Sequence, residues 1–296
     1  MPDQIFVRKA AGDLVPYDPD KVRESLQRAM VDDALIEDIL KKVNPKVTNG
    51  MSTKELYSEI YSHLHTNDAA AAAKYNLKQA IMELGPSGYP FEQFMAGVLR
   101  HIGYQTWTNQ IVKGKCVTHE IDIIAERNNI HYMVEAKYHN LPGRKTTIQE
   151  ALYTHARFLD VQDRWKETEP DEEAHAIHRG WLITNTKLSS DAIEYANCIG
   201  LEVSSWDYPT GTSLRKLITS SGAHPITSLH SLTEEQLTLL LKANKVLCMD
   251  LIDMENREIE ELGLQAAYEE AKGICFEDVE IEEDDEIEEP QEFIHS

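Results

Sequence analysis

The stretch HEIDIIAERNNIHYMVEAKYHN, residues 119–140, sets Asp122, Glu135 and Lys137 inside runs that otherwise read as β-strand interior. Asn128-Asn129 suits a two-residue type I′ turn, because asparagine tolerates the positive φ that both central positions need. In that register opposed residues have numbers summing to 257, so Asp122 faces Glu135, Glu120 faces Lys137 and Ile124 faces Met133. The other face carries Ile121, Ile123, Ala125, Tyr132, Val134 and Ala136, all apolar, and is expected to meet the core. Two carboxylates with Cβ atoms roughly 5 Å apart repel, and a cation between them relieves the repulsion. Mg²⁺ or Mn²⁺ suits such oxygen ligands, with waters and phosphate oxygens filling the remaining positions. Lys137 lies two residues from Glu135 on the same face and reaches the same point. Taken without context, the charges also fit a solvated polar strand with one cross-strand ion pair.

The surrounding elements must position this hairpin. GPSGYP, residues 85–90, punctuates the chain, and FEQFMAGVLRHIGY behind it predicts a helix ending near Gly103. Strand-like QTWTNQIV comes next, then the two arms of the hairpin, a helical segment over 147–160, the strand GWLITN, the helix SSDAIEYANCIG and the strand LEVSSW. Such alternation predicts an α/β sheet with helices on its faces, inside a multidomain chain of mixed α+β and α/β class.

An acid, about a dozen residues of hairpin, then Glu-x-Lys resembles the PD-(D/E)xK nuclease motif, with Ile121 where proline is usual. FEQFMAGVLRHIGYQTW, HEIDIIAE, VEAKYHN and GWLITNTKLSSDAIEYANCIGLEVSSWD together resemble the Mrr-like restriction endonuclease catalytic domain, over roughly 88–210. The resemblance implies that Asp122 and Glu135 hold the metal and that Lys137 positions or activates the attacking water. It further implies that Glu92, on the preceding helix, completes the site through water and that Gln149 joins it from the following one. The activity implied is metal-assisted hydrolysis of DNA phosphodiesters, with His119, His139, Arg144 and Lys145 as candidate backbone contacts.

Ahead of this region, residues 5–15 predict a β-hairpin turning near Gly12-Asp13. Helices follow with Asp18 as N-cap and Pro19 at N1, over 32–43, with a Ser52/Glu55 capping box, and through DAAAAAKYNLKQAIMEL. VRKAAGDLVPYDPDKVRESLQRA with STKELYSEIYSHL and AAAKYNLKQAIMELGP resembles the ATP-cone, the nucleotide-binding regulatory domain of ribonucleotide reductases, over 1–86. By that resemblance Lys9 and Lys21 contact the phosphates of ATP or dATP, and Val7 and Arg8 line the same strand. The usual K-R-x-G reads Lys9-Ala10-Ala11-Gly12, so one arginine is missing.

Residues 222–276 predict only helices, among them LTEEQLTLLLKANKVLCMDLI and ENREIEELGLQAAYEEAKGIC. They have a distant likeness to helix-hairpin-helix DNA-binding units but lack the Gly-h-Gly hairpin, so packing or oligomer contact is the expectation. The net charge is -22, which alone argues against a nucleic-acid partner. Half of it lies in residues 277–296, an acidic tail with eleven acids and no Lys or Arg, read as disordered. The four cysteines are far apart and read as reduced thiols. No apolar run approaches the roughly 18 residues of a membrane span, and the N-terminus lacks a signal-peptide core. A soluble cytoplasmic protein is expected.

These readings combine into a Mg²⁺-dependent DNA endonuclease whose activity or assembly is set by ATP or dATP. A homodimer or tetramer is expected by analogy with other cones, and a restriction or antiviral defence role is the expected setting. The alternative is a nucleotide-sensing DNA-binding regulator whose nuclease fold no longer cuts.

Overall fold

The computed structural model describes residues 4–9, 12–141, 143–168 and 177–276; the acidic tail lies outside them. The chain opens with a two-stranded antiparallel hairpin, β1 (Phe6–Arg8) and β2 (Leu14–Pro16), and turns through Gly12 at φ +93°. Four helices follow: α1 (Pro19–Gln27), α2 (Asp33–Val43), α3 (Thr53–Asn67) and α4 (Ala69–Met82). Their starts are capped as the sequence predicts, by Asp18, Asp32, the Ser52/Glu55 box and Asp68. The hairpin and helices close over Leu26, Ile36, Ile39, Ile60 and Leu64, all fully or almost fully buried.

The alanine run of α4 does more than favour helix. Ala70 to Ala73 are buried together because small side chains let three bodies approach one helix. Ala71 and Ala72 face the N-terminal core, and Ala73 faces the C-terminal helices. One to two turns later, Leu77 and Ile81 enter the core of the central sheet.

After α5 (Tyr89–His101) comes a five-stranded sheet, built from β3 (Gln105–Lys113), β4 (Thr118–Arg127), β5 (Ile130–Lys137), β7 (Ile177–Thr184) and β9 (Glu202–Ser204), in that spatial order. The first three strands are antiparallel; β7 and β9 add in parallel through helical crossovers. Between them lie β6 (Lys145–Thr146), α6 (Ile148–Thr168), β8 (Lys187–Leu188) and α7 (Ser190–Ile199), with β6 and β8 forming a small parallel pair. Phe91, Phe94, Met95 and Val98 of α5 cover one face of the sheet with α8 (Leu214–Ser221). Helices α6 and α7 cover the other face through Ala151, Phe158, Val161, Ala192 and Ala196. The result is the expected mixed α/β architecture with a central mixed sheet.

The last region is helical but more broken than its apolar pattern predicts. Each of the two long stretches divides, giving α9 (Glu234–Lys242), α10 (Cys248–Ile252), α11 (Asn256–Glu261) and α12 (Gln265–Phe276). Asn244 at φ +58° and Gly263 at φ +63° take the left-handed conformation that ends a helix. This region packs back on α4, where the Thr227 hydroxyl donates to the carbonyl of Ala80 at 2.6 Å. Among the described residues no helix is long and apolar enough to cross a membrane.

Candidate active site

The central hairpin turns through Asn128 and Asn129 at φ +53° and +60°, and β4 pairs with β5 in the expected register from Arg127↔Ile130 to Ile123↔Val134. The ladder then stops. Asp122 Oδ2 accepts the backbone N–H of Ala136 at 2.8 Å, so a side chain takes the donor that a regular ladder would give to the facing strand. On its other side the β3–β4 ladder pairs Thr108↔Ile123 and Gln110↔Ile121 but omits Asn109↔Asp122, with Asn109 at φ +53°. Asp122 therefore sits where both neighbouring strands release it.

This interruption corrects the expected facing pairs, since neither Asp122↔Glu135 nor Glu120↔Lys137 forms in the ladder, and it also moves one residue of the apolar face. Ile123, Ala125, Tyr132, Val134 and Ala136 join the core under α5, as predicted. Ile121 packs instead with Met133, Phe158 and Val161 on the α6 side. Both sides of β5 are covered, and Glu135 is accordingly only 9% exposed.

A guanidinium that the sequence reading missed meets that buried carboxylate. Arg157 of α6 donates one N–H to Glu135 Oε2 and another to the carbonyl of Glu120, and its plane lies over the ring of Tyr153. Burial drives the Glu135 carboxyl up to about 7; Asp122 adds to this, while Arg157 and Lys137 oppose it. Burial likewise raises Asp122, against the pull of the Ala136 N–H, Arg157 and Lys137. Glu92 lies in the first turn of α5. A helix N-terminus favours a carboxylate, yet burial and the fields of Asp122, Glu135 and Glu120 hold Glu92 up at about 7. Gly88 leaves space for it, since a Cβ there would come within 3.3 Å of Glu92 Oε1.

Lys137 and Glu135 open into a pocket of about 200 Å³ walled by Gln149, Glu150, Tyr153 and Thr154. The structure thus gathers Glu92, Asp122, Glu135, Lys137 and Gln149 at one end of the sheet. Gln149, Tyr153 and Arg157 recur every four residues on α6, a spacing that would have pointed to Arg157 once Gln149 was placed on a helix. Among the described residues no group of three or more His, Cys, Asp or Glu is arranged to hold a metal ion by itself. The donor set of Asp122 and Glu135 still suits Mg²⁺ or Mn²⁺, which take one or two carboxylates and keep several waters.

Other expectations fare differently. His119 does not face outward as a phosphate contact. Its Nε2 meets Asp160 Oδ2 at 2.7 Å, and Asp160 also accepts the N–H groups of Cys116 and Val117, pinning the β3–β4 turn to α6. Val7 lines no ligand surface with its side chain, because it is buried in the N-terminal core by strand alternation. Arg8, Lys9 and Lys21 are exposed, Lys21 only 3.9 Å from Asp18. Ala10 and Ala11, where the cone motif departs from its usual form, lie outside the described residues.

Comparison with known proteins bears on the domains that carry these residues. A family model described as restriction endonuclease matches residues 85–210, and an AF1548-like C-terminal model matches 224–275. The C-terminal region is therefore grouped with AF1548-like proteins rather than with helix-hairpin-helix units. An uncharacterized protein of Archaeoglobus fulgidus is 41% identical over 172 residues, which is 58% of this chain and 91% of that relative. The crystal structure of AF1548, a protein of unknown function, shares 37% identity with a TM-score of 0.50, covering 65% of this chain and 96% of its own. With Asp122, Glu135 and Lys137 inside the first match and the broken helices inside the second, the chain belongs to the AF1548-like family and carries its restriction-endonuclease-like domain.

Proposed function

We propose that the protein is a metal-dependent endodeoxyribonuclease. The observation that carries this reading is the convergence of Asp122, Glu135, Glu92 and Lys137 at the interrupted end of the sheet, where burial and mutual repulsion raise the acids. Such a cluster is unfavourable for stability alone and is characteristic of a site kept for chemistry.

In this reading Asp122 and Glu135 hold Mg²⁺ or Mn²⁺ through their carboxylate oxygens. When bound, the ion supplies Lewis acidity toward the scissile phosphate and toward a water. Lys137 sets its ammonium against the negative charge that grows on the phosphoryl oxygens. Glu92, protonated up to about pH 7, donates a hydrogen bond to water or phosphate instead of repelling it. Gln149 and Tyr153 orient the strand entering the pocket. Arg157 neutralises Glu135 while no metal is present, and so keeps the apo site folded.

Residues 88–210 cut in this scheme, 1–86 regulate, and 222–276 join the two through α4. Control by ATP or dATP is supported by the exposure of Lys9 and by the place of Lys21 in the first turn of α1, where phosphate is favoured. A nucleotide-set change of oligomeric state would suit restriction or antiviral defence.

The test is incubation of supercoiled plasmid with the protein in Mg²⁺, Mn²⁺ or EDTA, with and without ATP or dATP. Metal-dependent nicking is the expected result. Nicking that persists in EDTA defeats the metal assignment. Cleavage that ignores nucleotide and survives unchanged in Lys9→Ala defeats the regulatory half, as does a mass by light scattering that nucleotide leaves unaltered.

A further inference from the structure

Beside the acidic site lies a second pocket of opposite sign. Its volume is about 270 Å³, and its charged lining is wholly cationic: Lys78 from α4, Arg144 just ahead of β6, Lys145 at the start of β6 and Lys187 at the start of β8, with His139 beside them. No acid lines it, although the chain carries a net charge of -22.

The frame of this pocket is built rather than incidental. Asn185 clamps His139 from both sides, its Oδ1 accepting the His139 N–H at 2.9 Å and its Nδ2 donating to the His139 carbonyl at 2.8 Å. Thr146, Thr184 and Thr186 exchange buried hydroxyl contacts beneath it at 2.8 to 3.2 Å. The parallel pair β6–β8 then places Lys145 directly beside Lys187. Like charges in register destabilise a sheet pair unless something anionic lies over them. Asp207 answers Lys187 at 3.0 Å from outside the lining, while Arg144, Lys145 and Lys78 carry no salt bridge among the described residues. Lys78 is held over the Trp206 ring at 5.2 Å from its centroid, half-buried, with the Asp207 carboxylate acting on it from outside the lining. His139 Nε2 is buried without a hydrogen-bond partner.

The ligand chemistry that matches converging ammonium, guanidinium and imidazole groups is phosphate. His139 follows Lys137 by two residues; burial, then the charge of Arg144, favour its neutral imidazole, against the pull of Glu150, a wall of the acidic pocket, so it meets phosphate as a hydrogen-bond donor. We propose that this pocket binds a backbone phosphate of the DNA strand flanking the scissile bond. Lys78 comes from the N-terminal helical unit, so that unit forms part of the substrate surface and is not merely tethered to the nuclease. The inference rests on the nuclease reading for its choice of DNA, while its test reads binding rather than cleavage.

The experiment is fluorescence anisotropy of a labelled duplex in EDTA across a salt series, for wild type, Lys78→Gln, Arg144→Gln and the exposed control Lys41→Gln, with folding checked by circular dichroism. Loss of one phosphate contact lowers the slope of log K against log[salt] by about 0.9 and weakens binding roughly eightfold at 0.1 M salt. That change is expected in Lys78→Gln and in Arg144→Gln but not in Lys41→Gln. Equal slopes for all four proteins overturn the DNA assignment, and equal slopes with no melting shift in phosphate or AMP overturn the pocket. The free-nucleotide source is tested by thermal melting with AMP and with inorganic phosphate. A melting shift that Lys78→Gln abolishes, with the DNA slope unaltered, overturns the DNA assignment in favour of a small phosphate ligand. Plasmid nicking by wild type is run alongside: its absence with the slope change intact removes the nuclease reading and leaves the phosphate pocket standing.

Discussion

Replacing Asp122 by Asn should make the metal-free protein more stable at pH 8 while abolishing cleavage. Asp122 and Glu135 lie close enough for each charge to act on the other, a separation on the order of 5 Å for carboxyls around one site. At an effective dielectric of about 20, two charges at that separation repel by about 3 kcal/mol. Arg157 and Lys137 offset part of this, so the expected gain is about 1–2 kcal/mol. The amide oxygen still accepts the Ala136 N–H, so the interrupted ladder is kept. The pH dependence gives the sign. Glu135 titrates near 7 when folded against an ordinary 4.5, so the folded state binds the extra proton. Stability is therefore full below about pH 4.5 and declines as pH rises through 7. Removing the Asp122 charge lowers the folded value of Glu135 and flattens that decline. Urea denaturation at pH 5 and pH 8 without divalent ions measures both, with the gain present at pH 8 and nearly absent at pH 5. A variant destabilised equally at both pH values, or one that still nicks DNA at the wild-type rate, would refute the reasoning.

Three further outcomes follow. Arg157→Met leaves Glu135 buried without its guanidinium and should cost about 3 kcal/mol at pH 8, but much less at pH 5, where the carboxyl is protonated; equal losses by urea denaturation would argue against the pairing. Gly97→Ala brings a Cβ to 2.6 Å from Leu247 Cδ1, where α5 meets the C-terminal region, and should cost about 1–3 kcal/mol, read as a lowered denaturation midpoint. Mg²⁺ at about 100 times its Kd should stabilise wild type by about 2.7 kcal/mol and leave the melting of Asp122→Asn nearly unmoved in calorimetry.

The parts of the fold that were legible in the sequence have local causes. Asn128-Asn129 sets the hairpin register, and Asp18, Asp32 and Ser52 cap the helices where they stand in sequence. Glu135 and Lys137 share a face because the period of a strand is two, whereas Asp122 reaches them from the break in β4 and not from a facing position. The parts that were not legible depend on distant contacts. The ladder break that turns Ile121 toward α6 arises because the Asp122 side chain competes for a backbone donor, which no alternation pattern records. Arg157 looks like one more helix-surface cation until α6 is laid on the sheet. Lys78 belongs to an alanine-rich helix some sixty residues ahead of His139, and only packing brings the two together. In the C-terminal region the apolar spacing was right, but the left-handed Asn244 and Gly263 divide what reads as two continuous helices.

The most direct test of the central claim is a comparison of wild type with Lys137→Ala in single-turnover cleavage of duplex DNA in Mg²⁺ or Mn²⁺, with duplex binding measured on the same samples. The account predicts that Lys137→Ala binds within a few-fold of wild type and loses cleavage by at least about a hundredfold, the usual scale for removing a charge-stabilising group. Cleavage at the wild-type rate by Lys137→Ala, or no cleavage by wild type that binds the same DNA, would contradict it.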